Sequence, residues 1–203
     1  MPTSTPRPLG PGDPVATALS HDRRAQRSQQ TVLTAALGLL EESGVGGFSV
    51  EEVARRSGVA KTTIYRHWPT REALVLDACA RISQEQETPD TGTLAGDLLA
   101  HLTTIAELLA SANWSAVLPS IVDAAERDAE FAIVHSEIQR SHAAPVHEIV
   151  RRAVTRHELP EDTDSATIAA ILLGPLFYRR WFSREALDDA FINAVVRRAI
   201  AAT

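Results

Sequence analysis

The sequence is poor in the residues that build covalent or metal-braced folds. Its 203 residues include one cysteine, Cys79, and one methionine, and aromatics make up only 5%. A single cysteine excludes an intramolecular disulfide and any multi-cysteine metal site. Three histidines, His135, His142 and His147, lie near one another, but seven and five residues apart rather than at the i, i+4 spacing of a helical zinc pair. No metal is expected. Apolar runs stop well short of the ~20 residues a membrane-spanning helix needs. The proline-rich start lacks the apolar core of a signal peptide, so a cytoplasmic location is expected. There is no glycine-rich phosphate loop, no Gly-x-Ser-x-Gly turn and no plausible pairing of Cys79 with a histidine. Neither an enzyme nor a cofactor is expected.

Alanine, leucine, arginine and glutamate dominate what remains, while alternating runs of β-branched residues and aromatics are scarce. At 44% hydrophobic and 23% charged, the composition is that of a packed globular protein. The expected fold class is all-α, with about nine helices. The net charge is −6, but it is unevenly spread. Residues 1–71 carry nine Lys/Arg against six Asp/Glu, and residues 72–203 carry eleven against twenty. A mildly basic head on an acidic body suits a nucleic-acid-reading domain joined to a domain with another task.

Residues 1–20 hold five of the eleven prolines and few large apolar groups, so a disordered arm is expected there. From Asp22 to Ser43, Val32, Leu33, Ala36, Leu37 and Leu40 recur at helical spacing until Gly44, Gly46 and Gly47 end the helix. Ser49 and Glu52 then read as a capping box opening a short second helix. A third runs from about Lys61 to Trp68 and is closed by Pro69. A fourth starts after Thr70 and runs to about Glu87, before a break over 88–92. Periodic segments follow at about 93–111, 115–126, 128–157, 164–182 and 184–202, with kinks expected at Pro145 and Gly174-Pro175. Three units result: an arm (1–20), a head (21–69) and a helical body (70–203).

The most informative stretch is Val50–Trp68. Two short helices crossing steeply need a small residue where they touch and one tolerant of positive φ in the turn. Ala54 and Gly58 stand at those positions. Val53, Val59, Ile64 and Trp68 supply the apolar lock. With Ile64 turned inward, 100° per residue puts Thr62, Thr63, Tyr65 and Arg66 on the outward side of the third helix. Hydroxyls, a phenol and a guanidinium without a carboxylate suit the major groove of DNA, where arginine pairs with guanine and threonine touches bases. Arg27, Ser49, Lys61, His67 and Arg71 are the flanking candidates for DNA contact. A cation at Arg71, in the first turn of a helix, opposes the helix dipole unless a phosphate lies there.

Residues 28–74, notably Val32-Leu33, Ala36, Gly44, Phe48, Val53-Ala54, Gly58-Val59, Lys61, Thr63-Ile64-Tyr65 and Trp68-Pro-Thr-Arg-Glu-Ala-Leu74, resemble the TetR/AcrR transcriptional regulators. Ala60, Trp68 and Arg71 depart from that family's usual Ser, Phe and Lys. The resemblance implies three N-terminal helices that bind DNA and a fourth that links them to a helical dimerisation and effector domain. It also implies two protomers on a palindromic operator, usually as a repressor relieved by a ligand.

The second half is less diagnostic. Apolar residues in 164–182 and 184–202 cover a wide arc of each segment, as expected of helices buried on two sides. Ile168, Leu172, Leu176, Phe191 and Val195 are therefore the expected homodimer interface. His101, Trp114, Phe131, His135, Phe177 and Trp181 mix aromatic and polar character on apolar helices, as the lining of a pocket for a small lipophilic effector would. The competing reading is a small-molecule-binding or helical interaction protein in which the helix-turn-helix is only structural.

Overall fold

The structure, a computed structural model, describes residues 14–84, 87–110 and 114–201, with side chains over 25–81, 87–110 and 117–201. Among these residues every regular element is a helix. The head comprises α1 (Pro14–Ser43), α2 (Val50–Ser57) and α3 (Lys61–His67). The body comprises α4 (Arg71–Gln84), α5 (Leu94–Ala110), α6 (Trp114–Ala125), α7 (Ala129–Thr155), α8 (Ser165–Phe177), a π-helical turn (Tyr178–Ser183) and α9 (Asp189–Ala201).

The boundaries correct the sequence reading in two places. Helix α1 begins at Pro14, a residue suited to a first turn, so the irregular arm expected over 1–20 reaches at most residue 13. Residues 1–13 lie outside the described set. Pro145 lies inside α7, which continues through it for 27 residues in all. Near Pro175, by contrast, the expected helix through 182 gives way to the π-helical turn. Pro175 has no N–H for the Ile171 carbonyl, and the Tyr178 amide is shared between the carbonyls of Gly174 and Pro175. Arg184, at φ 56° and ψ 34°, ends the turn in the left-handed region. Helix α9 therefore starts five residues later than the periodicity suggests.

The head core is built on the predicted α1 stripe. Val32, Ala36 and Leu40 are buried with Val53 of α2, Ile64 of α3, and Leu74, Val75 and Ala78 of α4. In the body, α7 packs on α4, α5, α6 and α8, and α9 packs on α5 and α8. Leu102, Ile149, Leu172, Leu176 and Ile192 fill that core, each contributing about 2 kcal/mol by burial. This overturns most of the expected dimer interface. Ile168, Leu172, Leu176 and Val195 are buried inside their own chain, and only Phe191 remains half-open. A wide apolar arc is satisfied here by neighbouring helices of the same chain.

The turn between α1 and α2 is fastened to the body. The Val45 amide donates to Ser120 Oγ of α6 at 3.1 Å, and the Arg71 guanidinium donates to the Val45 carbonyl. The same guanidinium lies 5.2 Å over the ring of Phe131 on α7. Gly44 takes φ +62°, and a Cβ there would stand 3.0 Å from Ser120 Cβ. The turn after α1 is thus shaped to seat against α6.

Candidate nucleic-acid interface

Helix α2 is opened by Ser49, whose extended backbone (φ −139°, ψ 141°) lets its hydroxyl accept from the Glu52 amide at 3.2 Å. Only half of the expected capping box forms. The Glu52 carboxylate turns along the helix to Arg55 and Arg56 at 2.7–2.8 Å, which holds its carboxyl down at about 2. Arg56 also pairs with Glu42 of α1 at 2.7 Å. Gly58, at φ 68°, ends α2 and turns the chain into α3. Ala54 and Val59 are half-buried against the head core, as their place in the turn requires.

Helix α3 is only seven residues long, so its orientation is set by what it buries. Ile64 is 1% exposed, and Trp68 is buried with its indole N–H donating to Asp77 of α4 at 2.7 Å. That fixes the rest of the helix by geometry. Thr62, Tyr65 and Arg66 project into solvent, and Thr63 is half-buried on the shoulder. No carboxylate occupies that face, and among the described contacts none ties Thr62, Tyr65 or Arg66 to another side chain. The result is a row of unengaged donors on a rigid helix.

The flanking candidates are placed less uniformly. Lys61 is exposed but paired with Glu51 at 2.6 Å, so a phosphate would have to displace that carboxylate. His67 is half-buried, its Nδ1 within 3.0 Å of Gln29 Nε2 and its ring 5.7 Å from Trp68, so it braces α3 against α1. Arg27 is exposed on α1. Ser49 is already used as a cap. Arg71 is the one whose geometry opposes the sequence reading: its guanidinium turns inward to Val45 and Phe131. The cation at the start of α4 is thus accounted for by a carbonyl and an aromatic ring rather than by a phosphate site. Sequence reasoning missed Gln29, Glu51 and Asp77, the partners that hold α3 and its ends. Their contacts span nine to 38 residues and leave no periodic trace.

The expected pocket residues are placed as follows. Phe131 is buried beneath Arg71 at the junction of head and body. His135 Nε2 lies 3.2 Å from Gln139 Nε2 on its own helix, and Phe177 packs on Trp181 at 5.3 Å. The side chain of Trp114 lies outside the described residues. His101 lines a small cavity together with His142. Among the described residues no three His, Cys, Asp or Glu side chains come together as a metal site, and no helix is long and apolar enough to cross a membrane.

Comparison with known proteins gives a consistent result over both parts of the chain. Residues 32–78 match the family model described as bacterial regulatory proteins, tetR family, and residues 88–199 match one described as tetracyclin repressor-like, C-terminal domain. The DNA-binding transcriptional repressor TetR of Mycobacteroides abscessus is 32% identical over 181 residues, covering 85% of this chain and 92% of its own. The uncharacterized HTH-type transcriptional regulator YdeS of Bacillus subtilis (strain 168) is 25% identical over 178 residues, 87% of this chain and 89% of its own. Among solved structures, the TetR family transcription regulator SCO0332 superposes with a TM-score of 0.73 at 30% identity, over 87% of this chain and 98% of its own. The transcriptional regulator FadR of Bacillus subtilis, solved in complex with stearoyl-CoA, shares the fold, with a TM-score of 0.65 at 17% identity over 86% of this chain and 98% of its own.

Proposed function

This chain belongs to the tetR family of bacterial transcriptional regulators, and from that premise we propose that it is a cytoplasmic homodimeric repressor that a small lipophilic effector releases from a palindromic operator. The observation that carries the DNA-reading part is the outward row Thr62, Tyr65 and Arg66 on a helix locked from behind by Ile64 and Trp68. Arg66 is suited to guanine, Thr62 to a base edge or thymine methyl, and Tyr65 to a phosphate. Arg27, and Lys61 once freed from Glu51, add sequence-independent attraction. A two-fold dimer presents two such helices to half-sites about one duplex turn, ~34 Å, apart.

The two-fold contact proposed here uses what α8 and α9 leave open rather than what they bury. Thr167, Ala170 and Gly174 form an exposed small-residue stripe on α8, and it runs on into Tyr178 and Phe182. These two rings stack at 5.8 Å yet are 61% and 77% exposed. Helix α9 carries Asp188 and Asp189 at its start and Arg197 and Arg198 near its end, all exposed, so two antiparallel copies would set opposite charges against each other.

A gel-shift titration on the DNA upstream of the protein's own gene tests the reading. Tight, salt-sensitive binding is expected, with Arg66→Ala and Tyr65→Ala each losing at least tenfold. Equal binding by these variants would mean that another surface reads the DNA. Absence of any sequence preference in a randomised-DNA selection would leave the helix-turn-helix as structure alone.

A further inference from the structure

His101 is an anomaly inside the body. It sits on α5, whose inner side is leucine, isoleucine and alanine apart from His101 itself and Asp97, which Thr91 and Arg156 engage near the helix start, and it is only 5% exposed. Its Nε2 nevertheless has no hydrogen-bond partner. A buried imidazole nitrogen left unmet loses its hydration without a replacement, so such a group calls for an occupant. It faces a cavity of about 30 Å³ between α5 and α7, lined by Glu87, His101, Ile105, Leu108, Ser141, His142 and Pro145. Pro145 adds a second demand. It lacks an N–H, so the carbonyl of Ser141, four residues earlier on the same cavity wall, loses its ordinary helical donor. An unmet imidazole nitrogen and a carbonyl that lacks its i+4 amide thus line one niche.

Two properties select what fills it. Burial, reinforced by the neighbouring His142, pushes the His101 imidazole down to about 4, and burial lowers His142 as well. At neutral pH the niche therefore offers uncharged imidazole and no cation to hold an acid. Glu87, exposed at the rim, places a negative charge at the entrance and disfavours carboxylates. A volume of about 30 Å³ suits one hydroxyl-sized group and nothing larger. Ile105, Leu108 and Pro145 give the mouth an apolar wall.

Building on the reading of this protein as an effector-released repressor, we infer that the niche between α5 and α7 takes the hydroxyl of an uncharged lipophilic molecule. The hydroxyl oxygen accepts from His101 Nε2–H while its proton goes to the Ser141 carbonyl. The apolar body lies along Ile105, Leu108 and Pro145. The cavity wall on α7 belongs to the helix that also packs on α4, the element that follows the DNA-reading head.

The test uses the full-length protein and three probes of one shape: 4-heptylphenol, heptylbenzene and 4-heptylbenzoate at pH 7.5. Calorimetric titration should show the phenol binding at least tenfold tighter than the other two, with His101→Phe erasing that preference while its circular dichroism stays that of the parent. Nitrogen-15 NMR of the imidazoles in the unsubstituted protein guards against a misfolded variant: the His101 Nε2 resonance should shift on adding the phenol. Equal binding of phenol and heptylbenzene, a preference retained in His101→Phe, or a His101 resonance that stays put at saturation would overturn the site. DNA release is read separately by gel shift. Phenol bound through His101 without release upholds the site and defeats the effector-released reading. Release by a compound that bypasses His101, with no phenol binding, does the reverse.

Discussion

Burial decides which single side chains react and which stay silent. Cys79 is enclosed in the head–body core, and desolvation pushes its thiol up to about 12, so it carries almost no thiolate at neutral pH. A redox role for this cysteine is thereby made unattractive. His101 responds to the same physics with the opposite sign. Burial first, then the nearby His142, lowers it from the ordinary 6.5 to about 4. Between those values the unfolded chain binds a proton that the folded chain refuses, so stability is fully present above about 6.5 and declines as pH falls toward 4. The drop amounts to about 3 kcal/mol for a shift of that size. His142, lowered by burial, adds to the same window. For buried Asp97, desolvation is outweighed by hydrogen bonds from Thr91 and Arg156, so it is held below its ordinary 3.8 and acts only at pH below that value. Thermal unfolding followed from pH 7.5 to 4.5 should therefore show a decline that becomes shallower in His101→Phe. An unchanged slope would mean the imidazole is not the group refusing the proton.

At the scale of helices and turns, backbone conformation rather than residue type sets the sign of a substitution. Gly38 lies inside α1, and a Cβ added there would meet nothing within 4 Å, whereas Gly58 ends α2 at φ +68°. Gly38→Ala should stabilise by about 0.5–1 kcal/mol through reduced chain entropy. Gly58→Ala should destabilise by about 1–2 kcal/mol, because an L-residue is strained in the left-handed region. It should also weaken DNA binding by re-aiming α3. Paired urea titrations of the two variants check both signs, and a common sign would show that φ at residue 58 is not the deciding factor. The glycine-ended, steeply crossed α2–α3 pair was legible in the sequence because every constraint on it is local. The π-helical turn was not. Its apolar residues keep helical spacing, and only the loss of donors around Pro175 and the left-handed Arg184 re-route the chain.

For the whole molecule, the open question posed by the fold is where a second copy docks. The face proposed for it, Ala170, Gly174, Tyr178 and Phe182, is exposed in the single chain, and a Cβ on Gly174 would meet nothing within 4 Å. Gly174→Arg should therefore leave the folded protomer intact while shifting sedimentation toward monomer and costing operator affinity, since each half-site contact then stands alone. A dimer that sediments unchanged would place the two-fold elsewhere. Between the face proposed for the dimer and the head lies the junction where Val45 is held by Ser120 and Arg71, and Arg71 rests on Phe131. This fastening gives α6 and α7 a direct hold on the turn between α1 and α2.

What the sequence determined by itself was whatever depends on neighbours within a few turns. That includes the all-helical class, the Ala54–Gly58 crossing, the inward Ile64 and Trp68, and the outward Thr62, Tyr65 and Arg66. Helical period and turn chemistry are properties of the local chain. Only the tertiary structure decided the uses of side chains whose partners are far away. It took Arg71 from a phosphate to a carbonyl and a ring, and it drew Ile168, Leu172, Leu176 and Val195 into their own core. It also set His101 beside His142, 41 residues along the chain, in one small cavity. The physical reason is that periodicity reports that a side is buried but not what buries it: any apolar surface of matching shape removes the same water, so only the packed fold names the partner.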